Sequence, residues 1–482
     1  MVGKGRELDW SFDALGAFAR WPGDRPAVFL HSGRVEQRWA RYSVLAEPVG
    51  YYQLLDHTTE QRAHPGHRIG QSKWIGHHPC PVSSLTHAPF SDLRALLDAP
   101  GIWIGYLSYD LGRWIEKLPS YAEADRNWPI IELGYCPGWL TWDGVEHAWS
   151  AHGAWADDPA CIPDLINAPD VAIQADNPPY QCGEPQSVFS RGAYEQAVST
   201  ALEYIGAGDV FQVNLAQRFS AEFDGAFPLA QRALFNTLAT GSPAWYGAYL
   251  ELGRRTENAG GKEPQRVIAS TSPELFLEVD AEHKVVTRPI KGTRPACVDP
   301  GILRESEKDC AELNMIVDLM RNDLGRVCEY GSVRVKDGRA IESHPTVHHG
   351  VATIDGKLAD SKDIVDLLRA TMPGGSVTGA PKVRTMEIID ELEPVRRGPY
   401  CGCIGMLSAE HSCLNIAIRT MLIESSGAEQ RSDQKGGRVD FSVGGGIVAD
   451  SDPASEYEET LDKAEAMLSA LGVQRPNSMV RT

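Results

Sequence analysis

Apolar positions recur along this chain with two periods, and the switches between them mark out its elements. Ser190 to Ile205 has helical spacing, with Tyr194, Val198, Leu202 and Ile205 near one face. The same periodicity predicts helices over 305–323, 362–371, 380–392 and 453–471. The last begins after Asp452, with Pro453 suited to a first helical position, and its apolar seam is Tyr457, Leu461, Ala464, Leu468 and Leu471. Short alternating or β-branched runs predict strands at 209–219, 245–252, 266–271, 275–279, 284–290, 332–335, 403–408, 413–423 and 438–443. Earlier in the chain, 27–55 and 101–150 carry β-like runs rich in Val, Tyr and Trp. Hairpin-like runs of strands with intervening helices predict an α+β fold with large antiparallel sheets, not a doubly wound parallel sheet.

A polar stretch, 166–186, holds Pro169, Pro178, Pro179 and Pro185 and reads as an extended connector. It divides the sequence into an N-terminal region (1–165), a linker (166–189) and a larger region (190–475). Two Gly-rich polar segments, 253–265 and 425–437, read as exposed loops.

Of the 482 residues, 42% are hydrophobic and 23% charged, as in ordinary globular proteins, so disorder is not expected. No apolar run reaches membrane-spanning length, and Met1 to Arg20 lacks the pattern of a secretory leader, which predicts a cytoplasmic protein. The net charge of −19 argues against nucleic acid or an anionic membrane as partner, though a small anionic substrate needs only a few local cations. The ten cysteines form no framework, and Cys401-Gly-Cys403 is one residue short of the spacing of zinc and redox pairs. Buried thiols are expected.

Seven segments offer chemistry. Lys291 lies between Pro289 and Gly292, with Arg288 and Arg294 close in sequence. It is either a solvated turn lysine or a nucleophile whose pKa burial and neighbouring cations lower. Glu274, in Ser272-Pro273-Glu274, is either a hairpin turn residue or a carboxyl placed for a raised pKa and general-acid work. Glu312 falls on the apolar stripe of its helix with Met315, Ile316 and Leu319, where a glutamate needs a partner. Glu456, Glu459 and Lys463 share a face of the closing helix, as a solvated ion-pair face or as part of a hard oxygen site suited to Mg²⁺. The glycines of 444–446 and of the 373–382 loop, with Thr378, can admit an anion to backbone N–H groups or simply form capped turns. Arg419, in an apolar strand beside Ala417 and Met421, must meet an anion, either a structural carboxylate or a substrate one.

Together these segments resemble the chorismate-utilising enzyme family. The matching stretches are 208–218, Ser272-Pro273-Glu274, 289–293, 315–319 with 321–325, Pro373-Gly374-Gly375 with 378–382, and 444–447, in family order across 190–475. The N-terminal 41–45 and 109–112 are similar to the accompanying region of the aminating branch. The resemblance implies two large packed antiparallel sheets with helices outside. Members that add water carry a lysine base where this chain has Gln212, an amide on the polar face of its strand with Phe211, Val213 and Leu215 facing away. Members that form anthranilate carry alanine at the position of Lys291. Gln212 with Lys291 therefore implies amination of chorismate by ammonia to 4-amino-4-deoxychorismate, on the route to 4-aminobenzoate and folate.

By the same resemblance, Lys291 attacks ring carbon C2 while Glu274 protonates the departing 4-hydroxyl, and ammonia then adds at C4 and expels the lysine. Glu312, Glu456 and Glu459 are the implied Mg²⁺ ligands. Gln212, Thr293, His349, Thr378, Tyr400, Arg419, Gly444, Gly445, Gly446 and Lys463 are the implied substrate-binding residues. No glutamine amidotransferase segment is read in the chain, so ammonia is expected from a separate glutaminase subunit. Within the family the alternative is anthranilate formation. Outside it stands a non-catalytic ligand-binding homologue, which the intact residues at 274, 291, 312 and 459 oppose.

Overall fold

The computed structural model describes residues 5–58, 67–76, 78–168, 178–253, 265–343, 347–425 and 436–473. Residues 169–177 of the connector and most of the loops expected at 253–265 and 425–437 lie outside them. Among the described residues, antiparallel ladders build one 13-stranded and one 11-stranded sheet, stacked face to face with helices on the outer faces. The expected α+β architecture is thus present.

Three apolar layers hold the stack. Val28, Ile104, Tyr106, Leu250, Ile268, Ile404 and Leu422 meet between the sheets. Phe29, Phe219, Tyr249 and Phe441 line the outer face of the first sheet, against Phe18, Tyr194, Phe235 and Leu461 of its helices. Leu54, Leu133 and Leu277 line the outer face of the second, against Leu93, Ile316 and Leu368. Because both faces of each central strand are covered, the sequence reads there as continuous apolar runs. In Ile102–Leu107 all six residues are buried.

The regions on either side of the connector share both sheets. Val28–His31 pairs with Tyr246–Leu252, and Ile102–Leu107 pairs with Cys403–Leu407. Short connections carry the chain from one sheet to the other at 47–49, at Pro137, at Pro273-Glu274 and at 417–419. Three of these crossings hold proline, which has no N–H to extend a ladder.

Most predicted elements are present within a few residues, and the departures have physical causes. The expected strand over 413–423 is two strands, Ser412–Ile416 and Thr420–Glu424, in different sheets, and Arg419 at the crossing has φ 50°. The short strand expected at 332–335 runs over Arg334–Ser343 and pairs with Val347–Lys357, which periodicity did not reveal. Helix Leu229–Gly241 was also unforeseen, because it buries polar Gln231 and Arg232 beside its apolar residues; Arg232 pairs with Glu251 at 2.7 Å.

Candidate active site

The ladder between Leu275–Val279 and Lys284–Arg288 places Leu275 opposite Arg288, so the hairpin's open end presents Glu274 and Lys291 together. Glu274 is only 4% exposed. Burial pushes its carboxyl up to about 7, although the Ser376 hydroxyl, Lys291 and the Ile290 backbone all favour the charged form. Burial likewise pushes the Lys291 amine down; Glu312, Glu274 and Glu459 counter this, while Lys463 adds to it. The expected role of Arg288 and Arg294 in lowering Lys291 is not found, because both are committed elsewhere. Arg288 pairs with Glu342 and lies 4.1 Å from the ring centre of Trp39, and Arg294 bonds Asp309 at 2.7 Å.

Strand Gln212–Gly225 lies beside Gly436–Ile447, with Asn214 opposite Gly446 and Leu215 opposite Gly445. A methyl group on Gly446 would stand 2.2 Å from Gln212 Nε2 and 3.3 Å from Lys291 Nζ. On Gly445 it would meet Glu456 Oε2 at 3.0 Å and Glu459 Oε1 at 3.6 Å. These two glycines thus form a bare floor between the lysine and the carboxylates. Gly444 is different: its missing side chain makes room for the Leu215 carbonyl, at 2.7 Å. Gln212 is 1% exposed, and among the described residues neither atom of its amide has a hydrogen-bond partner. Val213 and Leu215 turn to the helix-side core as read, but Phe211 precedes the strand and is 73% exposed.

Helix Glu307–Gly325 brings Glu312, half-buried, and helix Pro453–Ala470 brings Glu456 and Glu459. The closing helix buries Tyr457, Leu461, Ala464, Leu468 and Leu471 as its periodicity predicts. Lys463 bridges Glu459 at 2.7 Å and the Gly444 carbonyl at 2.8 Å. Glu456 accepts the Ser451 hydroxyl at 2.6 Å through Oε1, while its Oε2 is buried without a hydrogen-bond partner among the described residues. Burial pushes Glu312 and Glu456 up, whereas Lys463 holds Glu459 down. Among the described residues no three His, Cys, Asp or Glu side chains close around one point as a ready-made metal cage. The donor set nevertheless fits Mg²⁺, which takes one or two carboxylates and completes its octahedron with water and substrate oxygens. The orphaned Glu456 oxygen is the kind of ligand it would use.

Arg419 is partly buried at its crossing, and among the described residues no carboxylate pairs with it; burial alone pushes its guanidinium down. Tyr400, also buried, precedes Cys401, whose N–H bonds the Ala417 carbonyl at 2.9 Å, so this segment packs on the same crossing. His349 is buried opposite exposed Thr293, and their side chains share a 2.9 Å hydrogen bond. Thr378 is fully buried; its hydroxyl donates to the Gly374 carbonyl at 3.0 Å and its carbonyl accepts from Asn214 N–H at 2.7 Å, which braces the loop against the strand. Cys401 and Cys403 are buried thiols, each pushed up to about 12.

Two contributors were not singled out from sequence. Ser376 bonds Glu274, and its only signal was its place inside the 373–382 glycine loop. Lys308, one turn before Glu312, lends positive charge to all three carboxylates.

The profile of the family described as chorismate binding enzyme matches residues 50–469. An Escherichia coli (strain K12) protein named aminodeoxychorismate synthase component 1 is 36% identical, over 92% of this chain and 93% of its own length. A Thermus thermophilus protein named anthranilate synthase component 1 is 36% identical over 81% and 82%. The crystal structure of anthranilate synthase component I from Streptococcus pneumoniae superposes with a TM-score of 0.65 at 27% identity, covering 97% of this chain and 100% of that one.

Proposed function

The chain belongs to the chorismate-binding enzyme family, and from that premise we propose that it aminates chorismate at C4, converting chorismate and ammonia to 4-amino-4-deoxychorismate and water. The observation that carries this reading is a half-buried lysine and a buried, protonatable glutamate facing each other beside an amide that has no partner among the described residues. The neutral Lys291 amine bonds to ring carbon C2 as the C4–O bond breaks, and the Glu274 proton lets the hydroxyl leave as water. Ammonia then bonds to C4, the C2–Nζ bond breaks, and Lys291 departs as the neutral amine. A proton from the new ammonium group restores Glu274. Gln212 has no basic atom, so a water in the same place is not activated.

Arg419, with no carboxylate paired to it among the described residues, is suited to hold a substrate carboxylate through its planar fork, and Lys463 supplies a second cation at the Gly444 carbonyl. Gly445 and Gly446 let the substrate approach the strand, Gly444 fits it to the neighbouring Leu215, and Tyr400, His349, Thr293 and Thr378 shape the surrounding wall. Glu312, Glu456 and Glu459 would hold Mg²⁺, which when bound supplies positive charge for a substrate carboxylate.

The relatives' designation as component 1 supports a separate second component, which we assign as a glutaminase that delivers ammonia. The product then feeds 4-aminobenzoate and folate synthesis. No described helix is long and apolar enough to cross a membrane.

Incubation with chorismate, Mg²⁺ and ammonium tests the reading. 4-Aminobenzoate is expected only after a lyase is added, and Glu312→Gln should abolish Mg²⁺-dependent turnover. Fluorescent anthranilate without a lyase would assign the chain instead to the reaction named for its Thermus thermophilus relative.

A further inference from the structure

One buried guanidinium outside the substrate pocket reaches two of the segments that build it. Arg397 donates from Nη1 to the Val377 carbonyl at 2.8 Å and from Nη2 to the Asn214 carbonyl at 2.7 Å. It also grips the Glu393 carboxylate with Nε at 2.9 Å and Nη2 at 2.6 Å, and lies 4.7 Å from the centre of the Tyr109 ring. Glu393 in turn accepts Ala216 N–H at 2.9 Å. Val377 follows Ser376, whose hydroxyl bonds Glu274, and Asn214 lies two residues beyond Gln212.

A buried ion pair is a poor device for stability alone, since apolar side chains of similar volume often serve as well. Its geometry offers something else. The rigid, planar fork fixes the separation of the two carbonyls it bridges, one on the glycine loop and one on the strand.

We infer that Arg397 is a positioning residue for the amination: it ties the 374–378 loop to the Gln212 strand, and so holds Ser376 against Glu274 and Gln212 above Gly446. The inference rests on the reading of Glu274 as general acid.

Arg397→Lys in the full chain keeps the charge beside Glu393 but loses the fork. We expect kcat to fall about tenfold or more with chorismate KM unchanged, because a misplacement of about 1 Å is enough for such losses. The limb of the pH profile set by Glu274 should move to higher pH, because the hydrogen bond that favours the carboxylate is lost. The titratable groups facing Glu274 are Lys291 and Cys401. The substitution leaves both, and the charge at 397, in place, so a moved limb reports the Ser376 bond. Ser376→Ala leaves the buried pair intact and should give the same upward shift. If it does not, the proposal is overturned whether or not Arg397→Lys folds. A lowered melting temperature with the parental kcat and pH limb would make Arg397 structural. The underlying reading fails separately, if Glu274→Gln retains full activity.

Discussion

The folded chain holds the Glu274 proton up to about pH 7, whereas a glutamate in water loses it near 4.5. The neutral form therefore contributes stability that is complete below pH 4.5 and is lost as pH rises through about 7. Glu274→Gln keeps the shape without the titration, so it should unfold at a higher temperature than the parent at pH 8. The gain is on the order of 3 kcal/mol at most, and thermal unfolding at pH 5 and pH 8 checks it. The same substitution should stop the covalent step, since hydroxide leaves poorly without an acid. Withholding ammonia should let a ring–lysine adduct accumulate, found by intact mass and peptide mapping on Lys291, absent in Glu274→Gln and in Lys291→Ala. No adduct in the parent protein would leave Lys291 an electrostatic role only. Arg419→Lys keeps a cation at the crossing but not the fork, and should raise chorismate KM about tenfold, the worth of one charge-assisted hydrogen bond. A lowered melting temperature with unchanged KM would make Arg419 part of the scaffold.

The strand carrying Gly444, Gly445 and Gly446 separates stability from activity within three residues. A methyl group at 444 would strike the Leu215 carbonyl, which is fixed in the ladder, so Gly444→Ala should lower the melting temperature. At 446 the methyl meets the far end of the Gln212 side chain, which can move, so Gly446→Ala should lose kcat with little change in melting temperature. Parallel melting curves and kinetics of the two variants decide this.

Helical spacing made the closing helix legible from sequence. It put Tyr457, Leu461 and Ala464 on the core seam and Glu456, Glu459 and Lys463 on another face, as found. It left open whether that face was solvated, because the groups beside Glu456, Gly445 and Ser451 among them, come from outside the helix. The break at Arg419 was invisible, since apolar alternation runs on through 414–423 and the change of sheet is a tertiary event. Ser376 was hidden for a similar reason: its partner comes from a hairpin about a hundred residues earlier.

Between the two sheets, Arg266 binds both oxygens of the fully buried Glu132, at 3.0 and 3.1 Å. Arg266 belongs to the first sheet and Glu132 to the second. Removing the guanidinium alone leaves a buried carboxylate uncompensated, so Arg266→Met should cost about 3–5 kcal/mol, while adding Glu132→Leu should recover most of it. Urea unfolding of the single and double variants measures both. Neither partner was legible as such from sequence, because a charged residue in an apolar strand does not name the strand across the interface. The α+β class and the ordered motifs were legible, since both are local in the chain.

The pairing of early strands with late ones bears on how the protein is made. Ile102–Leu107 gains Cys403–Leu407 on one side only after some 300 more residues have been synthesised. At roughly 5–20 residues per second, that strand waits on the order of 15 seconds to a minute with one backbone edge unpaired. Val28–His31 waits in the same way for Tyr246–Leu252. Both are apolar runs of the kind that aggregate through exposed edges, so the nascent chain is at its most vulnerable between the emergence of its first sheet strands and that of Cys403–Leu407.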